Sequence, residues 1–421
     1  MRYDLRPYQV AMSGAIVRQF DSFSKKPFLA VAGTGAGKSI VIADVCHKLD
    51  APTVILAPTG ELVGQNKEKL ESYGITDIGV YSASLNSKEV GKYTLATIGS
   101  VVKHPELFKD VKYFIIDECD LVDPKSGGTM YKKFLKHFPD AKICGLTATP
   151  YRIESKFVEY NGENYYTATL KMVNRIWDRK ANGTFWGNIV YKIETPDLIE
   201  QGYLAPIVYH TDEVQLDLLK VNSTGADYTA TSLDLWGGSQ VDRIVRISKA
   251  IDQKCQRNLI FCSSIKQAYD AFQVMAGEGL KVQVVTGQTP KRQRAQAVAD
   301  FKAGKIRHLL NVGVFLAGFD VPEVDSIIMV RPTMSLRLWY QAIGRGVRLD
   351  PNRPNKKLHV FDIAGVSERL GRVETIRLSK EDGYKDIVVS EVGRMDERAL
   401  FSFKLKPKEK KANGASKNHK N

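Results

Sequence analysis

Apolar residues along this chain gather into short unbroken runs instead of alternating with polar ones. FLAVA (28–32), TVILA (53–57), TLATI (94–98), YFIID (113–117) and KICGLT (142–147) make one series. NLIFC (258–262), KVQVV (281–285), HLLNV (308–312), SIIMV (326–330) and LHVFD (358–362) make a second. Continuous apolar runs of this length predict strands buried on both faces, as in parallel sheets covered by helices. Helical patterns lie between the runs. In 289–302, Thr289 reads as a cap and Pro290 as the first helical position. Ala295, Val298 and Phe301 then share one face, with Lys291, Arg292 and Arg294 outside it. Two series of runs predict an α/β fold with two units.

The stretch 151–240 breaks the rhythm with aromatics and glycines. The predicted division is therefore a first unit over 1–198, with an irregular extension at 151–198, and a second over 199–365. The link falls at IEQGYLAP (199–206), an addition covers 366–403, and 404–421 reads as a disordered basic tail. Within the extension, RIWDRKANGTFWGN (175–188) mixes Trp177, Phe185 and Trp186 with Arg175, Arg179 and Lys180. Such aromatics either stack on nucleotide bases or pack the extension onto the first unit.

Charge narrows the partner. The chain has 421 residues, with 61 Lys and Arg against 47 Asp and Glu, a net charge of +14. An excess of this size favours a polyanion, most simply nucleic acid. The tail contributes seven lysines and one acid, so more than half of the excess lies elsewhere. The five cysteines are scattered without a C-x-x-C pair, which argues against a disulfide framework or zinc module. No apolar run approaches membrane-spanning length, and the opening MRYDLRPYQV lacks the apolar core of a secretory signal. A cytoplasmic chain is expected, without a membrane partner.

Three motifs carry chemistry. AGTGAGKS (32–39) follows an apolar strand and opens a helical pattern, the arrangement of a phosphate-binding loop. Gly33, Gly35 and Gly37, with Thr34 and Ala36 between them, let backbone N–H groups turn toward phosphate oxygens. Lys38 is placed for the β- and γ-phosphates and Ser39 for Mg²⁺, with the helix N-terminus adding positive charge. Ala32 stands where the strict pattern has glycine. In YFIIDECDLV, Asp117 emerges at a strand end, placed to hold Mg²⁺ through water, and Glu118 to orient or deprotonate an attacking water. In YQAIGRGVRLD, Arg345 and Arg348 share a helical face in the second unit. That suits arginines delivered across a cleft to the γ-phosphate of ATP, with hydrolysis dependent on closure.

With these pieces in order, the sequence resembles superfamily 2 helicases and translocases over most of residues 3–365. LRPYQ (5–9), AGTGAGKS (32–39), APTGELVGQN (57–66), TIGS (97–100), DECD (117–120) and TATP (147–150) stand in the family's order. LIFCSS (259–264), VVTGQTP (284–290), NVGVFLAGFDVPEVD (311–325) and QAIGRGVR (341–348) follow. TATPYR, GYLAP, GFDVPEVD, RPTMS and GRGVR resemble bacterial RadD-type and compact phage helicases in particular.

The resemblance implies two tandem RecA-like parallel-sheet domains with the ATP site in the cleft between them. It implies that Arg6 and Gln9 read adenine, that Thr147 and Thr149 couple the ATP site to the nucleic-acid path, and that Asp320 contacts ribose with Gly318 near the phosphates. Gln341, Arg345 and Arg348 complete the site from the second domain. Thr59, Gln65, Thr97, Ser100, Ser264 and Thr286 touch the phosphodiester backbone of one strand.

Two features depart from the pattern. Asp120 stands where RadD-like members usually have His, and Leu316 and Ala317 replace polar residues. DECD matches RNA-directed DEAD-box proteins at one position, yet TATP and QAIGRGVR stand in place of their SAT and HRIGRTGR. DNA is therefore favoured over RNA, for a monomeric motor with ATP and Mg²⁺ as cofactors and replication or repair proteins as possible partners. The alternatives are an RNA helicase, the motor of a restriction complex, and a nucleotide-gated nucleic-acid scaffold with slow turnover.

Overall fold

Two parallel sheets dominate the chain. The structure, a computed structural model, describes residues 4–125, 129–211, 216–222, 227–314, 319, 321–381, 385–395 and 401–404. The first sheet has eight strands. In spatial order they are Ile189–Ile193, Phe28–Ala32, Lys142–Thr147, Tyr113–Asp117, Thr53–Ala57, Tyr93–Thr97, Ile78–Ser82 and the short Ser87–Lys88. All neighbours pair parallel except the last two. The second sheet has six strands, in the order Ile207–Thr211, Leu358–Asp362, Ser326–Met329, Asn258–Phe261, His308–Val312 and Val282–Thr286, all parallel. Nine of the ten apolar runs of the sequence are interior strands of these sheets, and the tenth, Val282–Thr286, lies at an edge of the second. Phe28–Ala32 and Thr53–Ala57 are buried at every position, as strands covered on both faces must be.

Register places the chemistry. The strands that end at the phosphate loop, at TATP and at DECD lie side by side. Val31 pairs with Thr147, and Asp117 with Leu146, so three motif-bearing turns leave one edge of the sheet together.

The stretch 151–198 is more regular than its pattern suggested. Tyr151–Tyr160 and Glu163–Met172 form a ten-residue hairpin, turning at Asn161 and Gly162, both with positive φ (51° and 72°). Asn-Gly is a strong short-range hairpin signal, because both turn positions need that backbone region. Strand Ile189–Ile193 then joins the first sheet. In the 175–188 stretch, packing accounts for two of the three aromatics. Trp186 is fully buried, with Phe185 edge-on at 4.9 Å, while Trp177 is exposed. The Lys291–Ala303 helix also departs from expectation. Pro290 is its cap residue, and the Thr289 hydroxyl instead accepts the Thr286 N–H at 3.0 Å. Ala297 and Phe301 form the buried face, and Ala295 is exposed.

The segment through Arg377 and Leu378 returns to the first unit. Trp339 Nε1 donates to Gly371 O (3.1 Å) and the Tyr340 hydroxyl to Ile376 O (3.2 Å), anchoring the segment to the second unit. Lys192 Nζ then donates to Leu378 O (2.6 Å), and Arg377 pairs with Asp197 (2.5 Å). Strand Phe401–Lys404 pairs antiparallel with the hairpin at Tyr165–Ala168. All five cysteines are free and buried, and no helix among the described residues is long and apolar enough to cross a membrane. Gly318, Asp320, Leu316, Ala317 and the tail from 405 onward lie outside the described residues.

Candidate active site

The phosphate loop turns on Gly35 (φ 87°) and Gly37 (φ 79°), positions where a side chain would strain the backbone. Gly33 serves another purpose. A Cβ there would come within 2.7 Å of the Thr195 backbone nitrogen, so this glycine admits the helix that starts at Thr195. Gln9 is tied to the same loop. Its Nε2 donates to Ala36 O (2.9 Å), and its Oε1 accepts the Arg6 N–H (2.9 Å). Arg6 lies over the Tyr203 ring and donates to Tyr203 O at 3.2 Å. Both residues expected at adenine thus brace the loop and the interdomain link.

Lys38 Nζ lies 3.4 Å from Glu118 Oε1, both side chains largely buried. Glu118 has φ 53°, an uncommon backbone for a non-glycine residue, and its N–H donates to Asp117 Oδ1 at 3.1 Å. Asn66 Nδ2 donates to Asp117 Oδ2 at 3.3 Å. Burial, then the charge of Glu118, raises the Asp117 carboxyl above its ordinary range. Burial also acts to raise Glu118, but the cations of Lys38 and Arg337 outweigh it and hold this carboxyl low.

The second unit closes the site. A cavity of about 250 Å³ is lined by Thr34, Gly35, Gly37, Lys38, Ser39, Gln65, Asp117, Glu118 and Thr149 from the first unit, and by Gln341, Arg345 and Arg348 from the second. Arg345 Nη1 donates to Phe319 O (2.8 Å) and Nε to Gln341 O (3.2 Å). Gly344 lets the units meet, since a Cβ there would fall 1.9 Å from Thr34 Cγ2. Lys356 Nζ donates to the carbonyls of Gly346 and Arg348, each at 2.8 Å, and to Pro322 O, fixing the backbone that carries Arg348. Burial lowers the Lys356 ammonium to about 8.

The residues fit a magnesium-bound nucleoside triphosphate. The loop offers a glycine cradle and Lys38, with Asp117 and Ser39 at its rim, and the buried hydroxyls of Thr34 and Thr149 have no hydrogen-bond partner among the described residues. Thr147 Oγ1 donates to Asp120 Oδ1 at 2.8 Å and accepts the Thr149 N–H at 2.9 Å, so both threonines connect to the acid motif.

The same cleft has a wider end of about 710 Å³. It is lined by Thr59, Ser84, Leu85 and Leu121 of the first unit and by Lys291, Arg294, Ala295, Val298, Arg337 and Gln341 of the second, among others. Lys291 Nζ donates to Ser84 O across it. Of the six residues expected on nucleic acid, Thr59 lines this cleft and caps the following helix by accepting the Leu62 N–H. Thr97 and Ser100 share a 2.9 Å hydrogen bond, and Ser100 Oγ accepts the Ala83 N–H beside Ser84. Ser264 caps the helix Ile265–Gly277. Thr286 is buried, its hydroxyl accepting the Gln288 N–H. Gln65 differs from the rest: it lines the small cavity, with the phosphate loop. The sequence reading also passed over Arg337, whose Nε is 2.7 Å from Asp120 Oδ2 and whose Nη2 is 4.0 Å from Glu118 Oε2. A lone cation one helical turn before Gln341 was its only signal.

Comparison with known proteins identifies the family. The family described as "Type III restriction enzyme, res subunit" matches residues 2–152, and the helicase conserved C-terminal domain matches 240–350. The chain belongs to the superfamily 2 helicases. Among the relatives of this helicase chain, IRC3 of Saccharomyces cerevisiae carries the name of an ATP-dependent helicase. It is 24% identical over 86% of this chain and 52% of its own length. A 51.5 kDa protein of a Lactococcus phage is 24% identical over 75% of this chain and 61% of its own. The chain thus spans little more than half the length of these relatives. A third, named DNA 3'-5' translocase XPB2, from Sulfurisphaera tokodaii, is 22% identical over 82% of this chain and 79% of its own. In fold, a fragment named as an HsdR subunit of a type I restriction enzyme from Vibrio vulnificus YJ016 superposes with a TM-score of 0.63. It has 19% identity, covering 90% of this chain and 67% of that one. Saccharomyces cerevisiae Dbp5 bound to RNA and ADP BeF3 gives 0.56 at 15% identity, covering 84% and 82%. These neighbours establish tandem RecA-like units.

Proposed function

We propose that this chain is an ATP-driven translocase or helicase acting on nucleic acid, with DNA favoured over RNA. One observation carries the reading: Lys38 and Glu118 face Arg345 and Arg348 in a single small cavity drawn from both sheets. Lys38 and the loop N–H groups bind the triphosphate. Asp117 and Ser39 hold its magnesium, which when bound supplies charge neutralisation at the phosphates. Glu118, kept ionised by Lys38 and Arg337, orients the attacking water and takes its proton. Arg345 and Arg348 reach the site only when the units are together, so turnover is tied to closure. A strand lying along the wide end, between Thr59 and Lys291, is gripped and released as the units close and open. Contacts of this type are mostly to backbone, which gives weak sequence preference and strong salt dependence.

The net charge of +14 and the likeness to a protein named as a DNA translocase support DNA. Relatives named as RNA helicases make RNA the competing substrate. The test is ATP turnover with no polymer, single-stranded DNA, forked DNA and single-stranded RNA. DNA is expected to stimulate at least about tenfold, in line with a closure-dependent arginine. Greater stimulation by RNA reverses the substrate assignment, and none by any polymer leaves a nucleotide-gated scaffold.

A further inference from the structure

The cleft has two ends, a small polar cavity and a wide, largely apolar one. One charged side chain belongs to both. Arg337 sits in the first turn of the helix Leu336–Ile343 and lines the wide end, with about a third of its side chain exposed. Its other edge reaches the acids of the first unit, 2.7 Å from Asp120 and 4.0 Å from Glu118. Asp120 is buried and holds Thr147 through its second oxygen. Its main-chain oxygen accepts Arg152 at 2.9 Å.

The other cations of the wide end do not make this connection. Lys291 donates to Ser84 O and Arg294 to Thr289 O. Gln341 lines both cavities but carries no charge. The Arg337 pair is also poorly aligned. Its Nε makes no hydrogen bond despite the short distance to Asp120, so charge holds the pair more than directed donors. A guanidinium held this way can be re-aimed by a second anion. A phosphodiester in the wide end is such an anion, and its geometry suits a guanidinium fork.

We propose that Arg337 is a positioning residue through which a polyanion in the wide cleft controls the hydrolytic acid. This rests on the ATPase reading of the small cavity. Without polymer, Arg337 sits 2.7 Å from Asp120 and 4.0 Å from Glu118 and holds the acid-motif turn against the second unit, restraining Glu118 away from the position that aligns the attacking water. A phosphate in the cleft takes the guanidinium. Glu118 then keeps Lys38 as its near cation and is free to align the water, and Asp120 keeps Thr147 without the second-unit restraint. Polymer stimulation is the loss of this restraint.

The experiment compares turnover at saturating ATP, without polymer and with saturating single-stranded DNA. It uses the full chain and the variants Arg337→Gln, Arg337→Lys and Asp120→Asn, with melting curves for each. Arg337→Gln is expected to raise polymer-free turnover several-fold and to bring the stimulation ratio to within about twofold of one. It should also reduce the salt slope of DNA binding by about one. Arg337→Lys should keep part of the stimulation, since charge is retained and the fork is lost. Asp120→Asn should raise polymer-free turnover less than Arg337→Gln, because Glu118 still holds the guanidinium. A folded Arg337→Gln protein with the wild-type stimulation ratio overturns the proposal. So does an equal fall of turnover in both conditions for both Arg337 variants, which would mark Arg337 as ordinary interface packing. Glu118→Gln is run alongside. Wild-type turnover in that variant overturns the assignment of the small cavity itself, an outcome distinct from any at Arg337.

Discussion

The two ends of the cleft, the small one proposed for nucleotide and the wide one proposed for polymer, are built differently. The first is small, about 250 Å³, and charged side chains from both units face one another across it. The second is about 710 Å³, and much of its wall is Leu85, Leu121, Ala295, Val298 and Phe319. The hydroxyls expected on the strand are largely engaged with their own backbone, as at Thr59, Ser100 and Thr286. A site that must stabilise one fixed charge distribution needs a few residue types at fixed places. A site that must let a polymer slide needs shape and a cationic rim more than particular donors.

The contrast breaks most sharply at Glu118. Glu118→Gln should preserve nucleotide binding, measured by titration with a fluorescent analogue, while turnover falls at least about 10³-fold, as expected on losing the group that takes the proton of the attacking water. Lys38→Ala should instead weaken binding as well. Near-normal turnover in Glu118→Gln removes that residue from the chemistry.

Arg348 is the next test, because it belongs to the nucleotide end yet comes from the other unit. Arg348→Ala should leave ATP affinity within a few-fold and lower turnover by about 10³, the range for an arginine reaching a transferring phosphoryl group. Arg348→Lys should rescue poorly. An early thermal transition in Arg348→Ala would instead mark the residue as a brace of its own unit.

At the polymer end the expected effects are smaller and fall on affinity. Leu121→Glu places a negative charge in an apolar wall facing the path of a polyanion. It should raise the DNA concentration for half-maximal stimulation about tenfold, more at low salt than at high. An unchanged half-maximal concentration would move the strand's path away from this wall.

The smallest effect concerns Lys356, which braces Arg348. Its ammonium, lowered to about 8 by burial, binds fewer protons in the folded chain than in the unfolded one between about pH 8 and 10.5. Its contribution to stability is therefore least below pH 8 and rises above it. The neutral amine, however, has too few N–H groups for three carbonyls. Turnover should fall a few-fold between pH 7 and 9 while the melting temperature gains a small increment from this group. Lys356→Met should abolish the difference between the two profiles.

How much was legible follows the same division. The central strands could be read because burial on both faces leaves an unbroken apolar run, as at Phe28–Ala32. Asp117 could be placed because it ends such a run, and Arg345 and Arg348 because their spacing sits in a recognisable stretch. Edge strands Ile189–Ile193 and Ile207–Thr211 lack that signature because they are partly exposed, and Ile78–Ser82, though largely buried, has its run broken by Gly79. The hairpin at 151–172 was passed over despite Asn161-Gly162, because aromatic density obscured the turn. The approach of Gly33 to Thr195 is not legible in the sequence either, because it joins residues 162 apart. Arg337 was illegible for a related reason. Its partners lie more than 200 residues away, and nothing in a single chain announces an ion pair at that separation.

The return of residues 371–378 to the first unit has a mechanical meaning. The chain crosses between units at 201–206, where the Ala205 N–H donates to Val347 O at 2.7 Å, and comes back through Arg377 and Leu378 onto Asp197 and Lys192. Both crossings meet around Thr195, beside Gly33. Two bodies whose chain crossings lie close together can turn about that place more readily than they can slide. Displacement then scales with distance from it. Groups next to Gly33 shift least for a given turn, and the far rim of the second unit sweeps furthest. With closure around phosphate as proposed, the return segment would be the fulcrum that gears a small turn there into a longer stroke elsewhere.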